Sequence, residues 1–201
     1  MVGIIDYGLG NPISIQNMIK KVGGSSFLSS DAEKLTKADQ LILPGVGHFS
    51  KGMENLKSSG LDEIIKSEAI NGKPILGICL GAQLLTNHSE EGNLDGLGLI
   101  PINTKKFVFE DNTFKVPNMG WSGIEIKLPH PYLINFHDTP RFYLVHSYYM
   151  ENSIPEYVVA ESQYGHSFAS VVANKNVVGM QFHPEKSHKF GMQVFRNFLE
   201  L

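Results

Sequence analysis

Pro74-Ile75-Leu76-Gly77-Ile78-Cys79-Leu80-Gly81-Ala82-Gln83-Leu84-Leu85 joins an apolar strand to an apolar helix through a cysteine with a glycine on either side. Residues 74–78 form the short apolar run of a buried strand, and Gln83-Leu84-Leu85 opens a helical segment. Between them, Gly77-Ile78-Cys79-Leu80-Gly81 is the cysteine counterpart of the strand-to-helix nucleophile elbow. Such a turn strains the backbone and leaves no room for neighbouring Cβ atoms, so glycines are required there. A sulfur at a helix N-terminus meets backbone N–H groups and the positive end of the helix dipole, which favour an anion. Cys79 is the single cysteine among 201 residues. A lone cysteine often serves as a small buried hydrophobe, but the paired glycines at a strand–helix junction point to a nucleophile.

Working outward, the first half alternates strands and helices. Residues 2–6 read as a strand, and Ile13, Ile15, Met18, Ile19 and Val22 recur at mostly helical spacing before Gly23-Gly24. Residues 26–28 and 39–43 read as further strands, and 49–57 and 61–71 as helices leading into the Cys79 strand. This order implies βαβ units and a mostly parallel central sheet flanked by helices. After about residue 96 the character changes. Residues 102–109, 113–116, 122–127, 141–147, 157–161, 167–173 and 177–181 read as short strands, giving an antiparallel β-rich second half. Residues 191–201 close the chain as a helix with Met192, Phe195, Phe198 and Leu199 on one face. With no repeat, low-complexity stretch or linker, residues 1–201 are expected to form a single α/β domain.

Composition narrows the function classes. A hydrophobic content of 42% and a charged content of 18% describe an ordinary globular chain, not a disordered one. The net charge of −3 comes without a basic cluster, so nucleic acid is not an expected partner. One cysteine makes no internal disulfide, which suits a reducing compartment. The N-terminus lacks the pattern of a signal peptide, and no apolar run approaches the roughly 18 residues of a membrane span. The chain is therefore expected to be soluble and cytoplasmic, with no membrane role. Without Cys-x-x-Cys or His-x-x-x-His spacing, neither a metal nor a cofactor is expected.

A thiol nucleophile needs a base, and the base needs an orienting group. Among the eight histidines, His183 ends an apolar strand in Gln181-Phe182-His183-Pro184-Glu185. Pro184 favours an extended backbone at His183, and residues i and i+2 of an extended segment share a side, so Glu185 can hold the His183 imidazole. Pro44-Gly45-Val46-Gly47 follows another apolar strand. It reads either as a plain turn or as a glycine-permitted backbone that aims an N–H at a developing oxyanion, with the Leu80 N–H as a second donor.

Pro-Gly-Val-Gly, then Gly-x-Cys-x-Gly-x-Gln, then His-Pro-Glu, in this order over essentially the whole chain, resembles the class I (triad) glutamine amidotransferases. At a finer level Asp6-Tyr7-Gly8-Leu9-Gly10-Asn11, Gly45-Val46-Gly47-His48-Phe49, Ser89-Glu90-Glu91-Gly92, Val116-Pro117-Asn118-Met119-Gly120-Trp121 and Val145-His146-Ser147-Tyr148 look like the glutaminase subunit of imidazole glycerol phosphate synthase. That resemblance implies hydrolysis of L-glutamine through a cysteinyl thioester on a Cys79, His183, Glu185 triad. It implies transfer of ammonia to a (βα)8-barrel cyclase subunit, in a heterodimer that makes imidazole glycerol phosphate and AICAR in histidine biosynthesis. It also implies backbone oxyanion stabilisation around Gly45, Val46, Gly47 and Leu80, and substrate contacts from Gln83, Glu91, His146, Ser147 and Tyr148. Asn11, Asn118, Met119, Gly120, Trp121 and Lys186 would face the partner.

The chain departs from the family's usual residues at Asn118 (commonly His), Ser122 (commonly Asn) and Ala82 (commonly Met), and Thr86-Asn87-His88 replaces the usual Phe-Glu-Ser. Paralogues resembling this family feed ammonia to other synthases, including those that amidinate surface-polysaccharide sugars. A stand-alone cysteine γ-glutamyl hydrolase or peptidase would share the elbow and base, and a non-catalytic regulatory module would share the fold. Trp121 reads either as core or as an interface anchor.

Overall fold

The computed structural model describes residues 1–110 and 113–201. Strands and helices alternate through the first half as β1 (Val2–Ile5), α1 (Pro12–Lys21), β2 (Ser26–Ser29), α2 (Ala32–Thr36), β3 (Gln40–Leu43), α3 (Phe49–Ser59), α4 (Leu61–Ile70), β4 (Ile75–Ile78) and α5 (Leu80–Leu84). The second half carries β5 (Thr86–Ser89), β6 (Leu94–Asp95), β7 (Ile100–Lys106), β8 (Asn118–Gly123), β9 (Glu125–Ile126), β10 (Arg141–His146), β11 (Tyr148–Met150), β12 (Val158–Tyr164), β13 (His166–Asn174), β14 (Val177–Met180) and α6 (His188–Leu199).

The main sheet runs β2-β1-β3-β4-β14-β13-β11-β7-β5-β6, with β12 on β13 and β9 on β12, while β8 and β10 form a separate antiparallel ribbon. From β2 to β14 the pairing is parallel, and beyond β14 it is mostly antiparallel. Every residue of β1, β3, β4 and β14 is buried, as expected for parallel strands covered on both faces. The alternation of side chains divides the core between those faces. Ile4, Ile42, Leu76 and Ile78 pack with Ile15 and Ile19 of α1 and Phe195 and Phe198 of α6. Ile5, Leu41, Leu43 and Ile75 pack with Leu35, Met53, Leu56, Ile65 and Leu84 on the other side.

The pairing of β14 with β4 positions the site. These strands, about a hundred residues apart in sequence, lie parallel with Met180 opposite Ile78. The residues that follow each strand therefore leave the sheet at the same end, where parallel sheets bind their ligands.

The expected parallel sheet with an antiparallel second half is what forms, but several boundaries differ. Residues 113–116 form turns instead of a strand. They are all exposed, so no buried face holds them, and Pro117 has no N–H to extend a ladder. The expected strand at 122–127 splits at Ile124 between β8 and β9. The short helix α2 and strands β5, β6 and β11 were not foreseen, being short or polar segments without clear apolar periodicity. Met192 is only half-buried on α6, where Val194 and Phe190 are buried beside Phe195 and Phe198.

Candidate active site

Cys79 sits at the junction of β4 and α5 with φ 54° and ψ −111°. This left-handed backbone is strained for a residue with a Cβ. Its N–H is tied to the Met180 carbonyl at 2.7 Å, which locks the turn to β14. The flanking glycines are demanded by space: a Cβ on Gly81 would lie 1.9 Å from the Leu43 carbonyl oxygen, and one on Gly77 would lie 2.7 Å from that of Gly81. Among the described residues the Leu80 N–H, first in α5, finds no protein acceptor, as expected at a helix start.

Three residues beyond β14, the His183 N–H donates to the Tyr143 carbonyl at 2.9 Å. The Ser187 hydroxyl donates to the His183 carbonyl at 2.6 Å and accepts from the Tyr143 N–H at 3.0 Å, closing the turn that presents the imidazole. His183 Nδ1 lies 2.7 Å from Glu185 Oε1, both side chains being almost fully buried. Nε2 is buried and completes no hydrogen bond among the described residues, so it is left for the sulfur. Burial, the largest influence, pulls the imidazole pKa down. Contact with the Cys79 sulfur and with Glu185, both acting as anions, outweighs it and raises the value to about 9. The imidazole is thus set to hold a proton beside the Cys79 sulfur, whose thiol lies 3.9 Å from the Val145 carbonyl.

Cys79 opens onto a cavity of about 250 Å³ lined by Val46, Gly47, Leu80, Gln83, Glu91, Pro117, Val145, His146, Ser147 and Tyr148. His183 and Glu185 are buried beside it. Glu91 Oε2 accepts the Phe49 N–H at 2.9 Å at the start of α3, and its other oxygen, 4.0 Å from His48 Nε2, can still accept from a ligand's cation. Gln83 Nε2 donates to the Tyr148 carbonyl at 3.0 Å and to Gln181 Oε1 at 3.1 Å, using both hydrogens, so only its own carbonyl remains for a ligand. Because the Tyr148 carbonyl can only accept, this chain orients Gln181 with its amide nitrogen towards the Cys79 sulfur, 4.0 Å away. His146 Nδ1 also donates to the Tyr148 carbonyl at 2.7 Å, and its Nε2 accepts from Asn118 Nδ2 at 3.1 Å. Burial pushes the His146 pKa down to about 4, against the Tyr148 hydrogen bond and with a small further push from His183. His146 is therefore neutral and in the Nδ1–H tautomer that its partners dictate.

The model of the glutamine amidotransferase class-I family matches residues 4–201. The chain belongs to this family. It is 47% identical to the protein named imidazole glycerol phosphate synthase subunit HisH 2 of Pseudomonas aeruginosa, over the whole of both chains. It is equally similar to the protein of the same name in Methanococcus maripaludis, covering all of this chain and 99% of that one. A protein named imidazole glycerol phosphate synthase subunit HisH in Oceanobacillus iheyensis is 41% identical, over 100% of this chain and 99% of that one. Among solved structures, one described as a glutamine amidotransferase superposes with a TM-score of 0.76 at 18% identity over 99% of this chain and 97% of the other. PurLQS from Thermotoga maritima gives 0.74 at 21% identity over the same shares.

In this amidotransferase the elbow cysteine, the His-Pro-Glu pair and all five expected substrate contacts gather at one place. Val46, Gly47 and Leu80 line the cavity, whereas Gly45 packs against α5 beneath it. The residues expected to face a partner divide. Met119 and Trp121 are 63% and 44% exposed, so Trp121 is not core. Its ring stacks on His188 with the Arg141 guanidinium 5.9 Å from the ring centroid. Lys186 is exposed, its ammonium 5.9 Å from the Tyr143 ring. Asn11 is exposed and caps α1 by accepting the Ser14 N–H at 3.2 Å, and Gly120 is half-buried.

Asn118 is a correction. It is buried, and its side chain is committed to His146 inside the amidotransferase. On β8 alternate residues point to opposite faces, so with Met119 and Trp121 outward Asn118 turns inward. Sequence reasoning also missed Tyr7, Gln181, Pro117 and Val145 at the site. Only Gln181 carried a local signal, lying two residues before His183 on the same extended segment.

Proposed function

We propose that this chain hydrolyses L-glutamine to glutamate and ammonia and delivers the ammonia to a synthase subunit. The observation that carries the reading is the buried His183–Glu185 pair set against a cysteine on a strained elbow, over a cavity with one carboxylate and several backbone groups. Glu91 and the Gln83 carbonyl suit the α-ammonium of an amino acid. Cys79 sulfur attacks the side-chain amide carbon as its thiol proton passes to His183, and the resulting oxyanion is met by the N–H groups of Val46 and Leu80. Each such donor is worth about 2.7–4 kcal/mol in comparable sites. His183, held by Glu185, gives its proton to the leaving nitrogen as the C–N bond breaks, releasing ammonia and leaving a γ-glutamyl thioester. It then takes a proton from water, whose oxygen displaces the sulfur to give glutamate, and returns that proton to the departing sulfur.

The relatives named as imidazole glycerol phosphate synthase subunits support a partner subunit of that synthase. The sequence resemblance makes that partner a cytoplasmic (βα)8 barrel, and the exposure of Asn11, Met119, Trp121 and Lys186 suits them to its docking surface. Among the described residues no helix is long and apolar enough to cross a membrane. A second reading is a paralogue serving another synthase, such as one amidinating sugars. It is favoured by the two relatives at 47% identity both carrying the numeral 2, whereas the unnumbered one from Oceanobacillus iheyensis stands at 41%.

The test is glutamine turnover by the chain alone, with the barrel protein that co-purifies with it, and with that partner plus its acceptor substrate. Stimulation by partner and acceptor is expected, and the identity of the acceptor separates the two synthase readings. Equal rates in all three conditions would leave a stand-alone hydrolase.

A further inference from the structure

Tyr7 follows β1 and is buried, with its own carbonyl accepting Asn55 Nδ2 at 2.9 Å. Its hydroxyl donates to the Pro44 carbonyl at 2.6 Å across 37 residues of sequence. Phenylalanine would fill the same space, so the buried hydroxyl needs a reason to be there. Its partner is the carbonyl of the peptide that enters the Pro44-Gly45-Val46-Gly47 segment after β3, on a residue that has no N–H of its own. One residue on, Gly45 lies so close to α5 that a Cβ would sit 2.4 Å from the Gly81 nitrogen and 2.7 Å from the Leu80 Cβ. The segment is thus held at residues 44 and 45. It is free at Val46, which is exposed, and at Gly47, whose φ of 128° is open to glycine alone.

We propose that Tyr7 is a positioning residue for the oxyanion segment 44–47: its hydroxyl pins the Pro44–Gly45 peptide, so that reorientation is confined to the peptides on either side of Val46. This rests on the proposed role of the Val46 N–H. Burial, and after it the charge of Cys79, pushes the Tyr7 pKa up, so the hydroxyl stays protonated and remains a donor throughout the working pH range. The same 7–11 loop carries Leu9, which lies against Gly47, and ends at the exposed Asn11. The pinned peptide is therefore one hydrogen bond away from the segment assigned to partner docking.

Tyr7→Phe in the full chain tests this. Hydrolysis of γ-glutamyl hydroxamate, which passes through an oxyanion, should lose about tenfold in kcat with KM nearly unchanged, short of the roughly 10²–10³-fold effect of deleting a donor outright. Alkylation of Cys79 by iodoacetamide, a displacement at saturated carbon that forms no oxyanion, should keep its rate. Amide hydrogen exchange should quicken across residues 43–48 and nowhere else. An equal loss in both reactions would place the effect at the sulfur and overturn the proposal. So would an unchanged kcat, or exchange that rises throughout the chain. If the parent chain turned over neither glutamine nor the hydroxamate even with its partner and acceptor present, the proposed function would fall, and the Tyr7 proposal with it.

Discussion

The two walls of the Cys79 cavity differ in how much of their hydrogen bonding is completed within the chain. On the β14 side the Cys79 N–H, the His183 N–H and the imidazole Nδ1 all have close partners, and Ser187 ties the turn together. On the other side the Val46 and Leu80 N–H groups have none among the described residues, and the β8–β10 ribbon turns Met119 and Trp121 outward. Strand register dictates the first wall, which on the proposed reading handles the protons. The second wall, which on that reading stabilises charge, is left to be completed by substrate and a docked synthase. A glutaminase divided in this way can hold its nucleophile ready and still be switched by a small movement of the open wall.

The comparison breaks most sharply at the first wall. Cys79→Ala should abolish glutamine hydrolysis with the fold intact, and a glutamine analogue bearing an electrophile should then label no residue. His183→Ala should lose about 10⁴-fold or more in kcat, and Glu185→Gln less, since orientation is damaged more mildly than proton transfer. Free ammonia should restore synthase turnover in a complex carrying either variant. Failure of that rescue in a complex shown to be intact would overturn the division between glutaminase and synthase.

A smaller effect should appear in the pH dependence of stability, through His146 in the cavity wall. Its pKa falls from 6.5 in the unfolded chain to about 4 in the fold, so between these values the unfolded chain binds the extra proton. The stability this contributes is complete above about pH 6.5 and is lost as pH falls through 4, on the order of 3 kcal/mol in all. Urea denaturation at pH 7 and pH 4.5 should show this slope in the parent chain and a shallower one in His146→Gln. Parallel slopes would mean that the imidazole is not held neutral by its surroundings.

The open wall should respond most mildly. Trp121→Ala should weaken capture of the synthase partner by about tenfold or more, the usual effect of losing an aromatic anchor at an interface. Unchanged affinity would show that the stacked Trp121 and His188 rings lie outside the docking surface.

Legibility in the sequence followed the range of the interactions. The strands β1, β3 and β4 were readable because each is a short apolar run between turn residues, and α1, α3 and α4 because their apolar residues recur with the turn of a helix. The polar strand β5, Thr86–Ser89, left no such trace, since it is held by pairing with β7 and not by its own side chains. At the site, Cys79 was marked by adjacent glycines and His183 by Pro184 and Glu185, all local signals that steric and extended-chain geometry explain. The inward turn of Asn118, the Gln83–Gln181 pair across 98 residues and the Tyr7–Pro44 clamp carry no local mark.

The sequence by itself therefore singled out Cys79, His183 and Glu185 and laid out the parallel half of the sheet, because backbone strain and apolar periodicity act over a few neighbouring residues. The tertiary structure alone decided which amides reach the sulfur, which wall is closed and which residue of β8 faces inward. Those outcomes depend on the register of β14 against β4 and of β8 against β10, and pairing between distant strands is set by the packing of the whole core.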